Sequence, residues 1–159
     1  MSRLNVPQTP LLAALAGLLV PGAATWSGNA PPPAPRPPRL VFRTEFAGVD
    51  KAGDCLWRGR VDGDGAGIVT LALQQVEDPV QAANPVWHVR SHWSITGTRP
   101  DRSFSADLEG MVDWKAGVSR LSGIITSGWM RGAWVQQDGR FVSGDVSGTL
   151  EITPSLASR

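Results

Sequence analysis

Apolar and polar residues alternate with a period of two through most of the chain after residue 39. The pattern is clearest after Phe104, where Ala106 and Leu108 fall on one face while Asp107 and Glu109 fall on the other. Because successive side chains of a β-strand point to opposite faces of a sheet, this alternation predicts strands with one buried face. It predicts such strands over residues 40–46, 55–61, 68–77, 86–96, 104–114, 121–125 and 142–152, and a strand with ambiguous faces over residues 129–136.

Short polar and glycine-rich segments separate the predicted strands, and no helical period is found after residue 30. Asp138-Gly139 is a strong signal for a hairpin turn, and residues 78–85 form the longest internal loop. Short connections join antiparallel neighbours, so about eight evenly spaced strands favour an all-β fold, either an up-and-down β-barrel or a β-sandwich.

Glycines within the predicted strands favour the barrel over the sandwich. Gly110, Gly123, Gly144 and Gly148 all fall in the predicted inward rows. A glycine inside a strand marks tight coiling or the close approach of another group, and closing a small sheet requires such bends. The sequence therefore predicts an antiparallel up-and-down β-barrel of about eight strands over residues 40–153, with a β-sandwich as the alternative.

The N-terminal region has the layout of a secretory signal peptide. Arg3 precedes an apolar run over residues 11–20, and Gly22, Ala23 and Ala24 supply small residues for cleavage. The run is too short to span a bilayer as a stable helix. We therefore expect residues 1–24 to be removed and the product to be exported, either periplasmic or secreted, and not membrane-spanning after signal removal.

A proline-rich segment follows the signal peptide and precedes the first predicted strand. The fixed φ angle of proline favours an extended polyproline II conformation without internal hydrogen bonds. Residues 25–39 are therefore expected to form a stiff spacer, and residues 154–159 a C-terminal tail.

The charge balance gives no sign of a polyanionic partner. The chain carries 15 basic and 14 acidic residues, and Arg3 is the only charged residue before Arg36, so removal of the signal leaves a net charge of zero. This balance predicts no nucleic-acid partner. Cys55 is the only cysteine, which excludes an intrachain disulfide, and we expect its side chain to be buried.

His88, Arg90 and His92 share one face of the predicted strand over residues 86–96. Four residues of extended chain span roughly 13 Å, so the two histidines cannot bind one metal ion together. Either histidine is a candidate general base or, with Arg90, a candidate anion contact, and a solvated outer face explains the same residues. The chain has no nucleophile elbow, no metal-spaced Cys/His cluster and no phosphate-binding glycine loop, so we expect no cofactor and favour a non-enzymatic role.

Tryptophan is unusually frequent, with seven Trp against four Phe and no Tyr. Core packing is the default role of these side chains, but the interior of an eight-stranded barrel can also hold one small ligand. We therefore predict a ligand site at one mouth of the barrel, with the loop of residues 78–85 as its lid. The predicted ligand-binding residues are Trp57, Trp93, Trp129, Arg90 and His88.

Three segments of the second half of the chain resemble a pattern that recurs in small exported bacterial β proteins of unassigned function. The first comprises residues 110–117 (GMVDWKAG) and 121–123 (LSG), and the others are residues 127–133 (SGWMRGA) and 147–152 (SGTLEI). The rhythm of the strands is also similar to that of the barrels of allene oxide cyclases and dirigent proteins, although no functional residue of those families has a match here. The resemblance implies a barrel and leaves the function open.

Three functions are compatible with these observations. The leading hypothesis is an exported β-barrel that binds a small apolar or amphipathic ligand at one mouth. The second is a non-catalytic envelope or matrix protein that acts through protein contacts. The third is a barrel-type isomerase or cyclase, which requires polar residues that converge inside the barrel. The sequence gives no indication of the oligomeric state.

Overall fold

The computed structural model describes residues 36–76 and 85–155 of the chain. The predicted signal peptide, most of the predicted spacer, all of the predicted lid except Pro85, and residues 156–159 of the predicted tail lie outside this part. The described residues form one short 3₁₀ helix, Pro100–Arg102, and eight strands. The strands are β1 (Arg39–Val49), β2 (Cys55–Gly63), β3 (Gly67–Gln75), β4 (Val86–Gly97), β5 (Phe104–Asp113), β6 (Val118–Gly128), β7 (Trp134–Val142) and β8 (Asp145–Thr153).

Each strand pairs antiparallel with the next strand along the chain, and β8 pairs with β1, so the sheet closes on itself. In the closing pair, Leu40 lies opposite Leu150 and Thr44 lies opposite Val146. The predicted all-β, antiparallel, up-and-down barrel is therefore confirmed, and the sandwich alternative is wrong. The β1–β2, β5–β6 and β7–β8 turns lie at one end of the barrel, which we call the mouth, and β1 begins at the opposite end, the far end.

Alternate residues of each strand fill the interior of the barrel. On β4, for example, Val89, Ser91, Trp93 and Ile95 are buried while the residues between them are exposed. The core is continuous through the interior, and a cavity within it has a volume of only about 10 Å³. Such a volume holds about one water-sized atom, so the interior is filled by side chains.

Inward-facing glycines let neighbouring strands approach each other closely. A Cβ atom on Gly123 would collide with the backbone carbonyl of Asp107 on β5, and one on Gly148 would collide with that of Asp138 on β7. Because these carbonyl groups belong to paired strands, a side chain at either position would push the sheet apart. The sequence-based expectation of a close backbone approach at inward glycines is met at both positions.

The last hairpin differs from the sequence prediction. Asp138 and Gly139 lie within β7, and the chain turns instead at Ser143 and Gly144, whose φ angles are 53° and 92°. Positive φ at two successive residues is typical of the type I′ turn, which matches the twist of a hairpin. The local signal at Asp138-Gly139 fails because β7 continues to pair with β6 and β8 through both residues. Gly144 therefore lies in a turn, and Val142, which the sequence assigns to the inward row, is exposed.

The segment before β7 forms a turn as well, which explains its ambiguous faces. Met130 and Gly132 have φ angles of 57° and 82°, and the backbone N–H of Ala133 donates to the carbonyl of Met130 at 2.9 Å. β7 begins only at Trp134, whose side chain is outward. Trp129 therefore belongs to a turn at the far end of the barrel and not to the predicted strand over residues 129–136.

Candidate functional site

Five aromatic side chains form a continuous series of ring contacts at the mouth. The ring centroids of Phe46 and Trp57 are 5.4 Å apart, and those of Trp57 and Phe141 are 6.1 Å apart. Trp114 lies 4.8 Å from Phe141 and 5.4 Å from Trp87 by the same measure. The rings meet edge-on or tilted, which are the arrangements that the charge distribution of aromatic rings favours. We call these five residues the aromatic mouth.

The barrel topology brings these rings together from distant parts of the chain. Phe46 and Trp57 lie directly opposite each other in the β1–β2 pair. Phe141 occupies the last inward position of β7, and Trp114 follows the end of β5 immediately. Because β1, β5 and β7 all run towards the mouth, their final residues meet there, and Trp87 joins them from the start of β4.

Exposure increases from the base of the aromatic mouth to its rim. Trp57 is only 3% exposed, and its indole N–H donates to the carbonyl oxygen of Gly144 at 2.8 Å. Phe46 and Trp114 are 50% and 36% exposed. The fixed, buried indole therefore contacts Phe46 directly and Trp114 only through Phe141, and the two outer rings are accessible to a ligand.

Four of the five aromatic side chains, all except Trp87, border an open bowl with a volume of about 490 Å³. This volume lies within the range of about 300–1,000 Å³ that is usual for small-molecule sites. Among the residues that the structure describes, the walls are aromatic and contain no charged side chain, so the bowl suits a neutral ligand with an apolar body. The lining residues are Phe46, Cys55, Trp57, Trp114, Gly117, Phe141, Ser143 and Gly144.

Cys55 forms part of the wall of the bowl and is half-buried. Partial burial raises the pKa of the Cys55 thiol above its ordinary value, and the neighbouring Asp54 carboxylate raises it further. A thiol with a raised pKa stays protonated at neutral pH and is a poor nucleophile. In the bowl, Cys55 therefore acts as a weakly polar wall.

The structure places the three predicted ligand-binding tryptophans at three different levels of the barrel. Trp57 is at the mouth, whereas Trp93 is in the centre of the core, where its ring meets Phe42 edge-on at 4.9 Å. Trp129 packs at the far end, 6.0 Å from the ring of Phe104 and beneath the guanidinium of Arg102. Only Trp57 among these three lines the bowl.

Arg90 and His88, the other two predicted ligand-binding residues, lie on the outer surface of β4 and share one carboxylate. His88 Nε2 lies 2.8 Å from Glu109 Oε1, and Arg90 Nε lies 3.2 Å from Glu109 Oε2. On the same face, His92 Nδ1 lies 2.6 Å from Asp107 Oδ1. These partly exposed contacts are separated from the aromatic mouth by the barrel wall.

The outer face around these contacts contains an open groove with a volume of about 560 Å³. Asp107 and Glu109 lie along it, and Ile124 and Trp134, which are paired across β6 and β7, form its apolar part. Both apolar side chains are about half-exposed. The groove therefore combines a charged row with a small apolar patch.

Within residues 36–76 and 85–155, no group of His, Cys, Asp and Glu side chains is arranged to hold a metal ion. In the same part of the chain, no helix has the length and apolar character needed to cross a bilayer. The chain matches no protein-family model, no curated protein and no solved structure. The geometry of the barrel is therefore the basis for any functional conclusion.

Sequence reasoning identified one residue of the bowl, Trp57, and missed Phe46, Trp114 and Phe141. Phe46 and Trp114 fall in the predicted inward rows, where they look like ordinary core residues. They differ from core residues in one respect: both lie at the ends of strands that run towards the mouth. That difference has meaning only when the strand order and directions are known.

Proposed function

We propose that this protein is an exported β-barrel that binds a small, neutral, aromatic or amphipathic molecule at its aromatic mouth. The observation that carries the proposal is the bowl of about 490 Å³, which four aromatic side chains border, with no charged group among its described lining residues. Half-exposed Phe46 and Trp114 offer apolar area that a ligand would remove from water. A ligand enclosed within the barrel is not supported, because the interior cavity measures only about 10 Å³.

Export is supported by the order of residues at the N-terminus, where Arg3, an apolar run and small residues follow one another. Expression of the full chain in a bacterial host tests it. Mass spectrometry of the periplasmic fraction should find a mature product that begins at Thr25. An intact N-terminus in the cytoplasm would contradict export, and the binding proposal would be unaffected.

Binding at the mouth is tested by NMR, because each indole N–H gives a separate resonance that can be assigned by substitution. Titration with toluene should shift the resonances of Trp57, Trp87 and Trp114. The resonances of Trp93 and Trp134, in the core and on the outer face, should stay unchanged. Shifts confined to Trp134, or no saturable shift at all, would contradict the proposed site.

Trp114→Ala and Trp134→Ala form a matched pair for the same titration. Each change removes a partly exposed indole, but only Trp114 lines the bowl. Trp114→Ala should weaken toluene binding by about tenfold, since loss of an aromatic contact costs about 1.4 kcal/mol. Trp134→Ala should leave the affinity within about a factor of two.

A second candidate function is a role in protein contacts through the outer groove. A closed barrel has no free strand edge, so a partner must recognise outward side chains rather than add a strand. Ile124 and Trp134 supply the exposed apolar pair that such a contact needs. Cross-linking in envelope extracts tests it, because Trp134→Ala should remove a specific cross-linked species that Trp114→Ala retains.

The isomerase or cyclase hypothesis gains no support from the barrel interior. The buried polar side chains among the described residues are those of Thr44, Ser91, Ser119 and Gln137. Their hydroxyl and amide groups can form hydrogen bonds, but none of them is a general acid or base near neutral pH.

A further inference from the structure

A buried amide lies below the aromatic mouth, and its oxygen accepts no hydrogen bond from the described part of the protein. Gln137 is 1% exposed, and its Nε2 donates to Ser119 Oγ at 2.9 Å. Gln137 Oε1 has no hydrogen-bond partner among the described residues. The buried hydroxyl groups of Thr44 and Ser91, by contrast, each have a partner. A buried acceptor without a partner is unfavourable and points to something that binds there.

The chain keeps space for this amide at the next inward position of β7. A Cβ atom on Gly139 would collide with Gln137 Nε2 and would lie 2.6 Å from Ser119 Oγ. The amide therefore extends from Gln137 to the level of Gly139, one inward position below Phe141. Inward neighbours on a strand are roughly 7 Å apart. The distance from the amide, at the level of Gly139, to the level of Phe141 is therefore about the length of one substituted benzene ring.

The cavity of about 10 Å³ in the core is lined by Gln137 and Ser119 and also by Trp57 and Phe141. Trp57 and Phe141 line the bowl as well, so these two rings form the partition between the bowl and the cavity. The cavity has room for one oxygen-sized atom beside the amide. A hydroxyl group fits this space, whereas a whole ring does not.

The two rings of the partition are held differently. Trp57 is fixed by its hydrogen bond to the carbonyl of Gly144. Phe141 is only half-buried, and its ring has no polar atom through which it can be fixed. Phe141 is therefore the ring of the partition that no hydrogen bond fixes, and its displacement is the route from the bowl to the cavity that the following proposal requires.

We propose that Gln137 is a specificity-determining residue of the aromatic mouth, and that the ligand is an aromatic alcohol of the phenol class. This inference rests on the function proposed above. The aromatic ring of the ligand lies in the bowl against Phe46 and Trp114, and its hydroxyl donates a hydrogen bond to Gln137 Oε1. The hydrogen bond satisfies the buried acceptor, and a hydrocarbon of the same shape leaves it unsatisfied.

The test compares p-cresol with p-xylene, which has a methyl group in place of the hydroxyl. Dissociation constants are measured by titration of the Trp57 and Trp114 indole resonances. In Gln137→Leu, the preference for p-cresol over p-xylene should fall at least tenfold relative to the wild-type protein, because the leucine cannot accept a hydrogen bond. In Gln136→Leu, a control on the outer face of the same strand, the preference should be unchanged.

The outcomes separate the two proposals. If neither compound shifts the mouth resonances, the proposed function fails and this inference fails with it. If both compounds bind but the preference is the same in Gln137→Leu as in the wild-type protein, the mouth binds ligands and Gln137 is not the acceptor. If Gln137→Leu does not fold, Gln137→Met provides the same comparison with an unbranched side chain, and a retained preference in that variant overturns the inference.

Discussion

Replacement of Trp57 by phenylalanine tests how the base of the aromatic mouth is held. The indole of Trp57 is buried, meets Phe46 and Phe141 edge-on, and donates its N–H to the carbonyl oxygen of Gly144 at 2.8 Å. Phenylalanine keeps one ring on the same face of β2. It removes the N–H donor and with it the link between β2 and the β7–β8 turn.

The expected loss of stability follows from these contacts. Gly144 is exposed, so its carbonyl regains water, and the lost hydrogen bond costs only about 1 kcal/mol. The smaller ring buries roughly 50 Å² less apolar area, which is about 1 kcal/mol, and incomplete collapse around it adds up to about 1 kcal/mol. Trp57→Phe should therefore lower the free energy of unfolding by about 2–3 kcal/mol, or the Tm by roughly 10 °C.

Urea unfolding followed by circular dichroism measures this loss. Trp134→Phe is the control, because the same change at a half-exposed indole on the outer face should alter the free energy of unfolding by less than about 0.5 kcal/mol. The dependence on urea concentration should be the same in both variants and in the wild-type protein. A loss at Trp57 as small as that at Trp134 would refute the description of Trp57 as a buried, hydrogen-bonded anchor.

Three further expectations concern the sheet, the thiol and the outer face. Gly123→Ala should lower the free energy of unfolding by about 3 kcal/mol or more, because β5 must move to accept the Cβ atom. Wild-type stability of this variant in urea would contradict the close approach of β5 and β6 at Gly123. The rate of Cys55 alkylation should rise with pH around a midpoint above that of a free cysteine, because the Cys55 pKa is raised and only the thiolate reacts. A midpoint at or below that of free cysteine would contradict the raised pKa. Bound toluene should slow the alkylation at every pH, because Cys55 lines the bowl. Asp107→Asn should change the unfolding free energy by less than about 1 kcal/mol, because its contact with His92 is largely exposed. A larger loss in urea would show that this outer contact stabilises the fold.

The candidate site was only partly accessible to sequence reasoning. The sequence predicts the same ligand-binding role for Trp57, Trp93 and Trp129, but Trp93 lies in the core and Trp129 at the far end. A tryptophan in an inward row has the same sequence pattern whether it packs in the centre or borders an opening. The height of a residue along the barrel decides between the two, and that height depends on strand ends and register.

The inward position of Gln137 beside Ser119 could not be predicted from the sequence for a related reason. The turn predicted at Asp138-Gly139 assigned this part of β7 to a connection, so Gln137 was not considered as an inward residue. Pairing of β7 with both β6 and β8 outweighs the local turn preference and turns the Gln137 side chain into the interior. Gly139 is then needed for the space it leaves beside the amide.

The sequence by itself determined that the chain forms antiparallel strands with one buried face, because the period-two alternation is a local property of each segment. It also predicted a close approach of strands at inward glycines, which the barrel confirms at Gly123 and Gly148 but not at Gly144, which lies in a turn. Only the tertiary structure decided which aromatic residues meet. Closure of β8 onto β1 places the ends of distant strands at one mouth, and neither their contacts nor the bowl between them exists in any single segment.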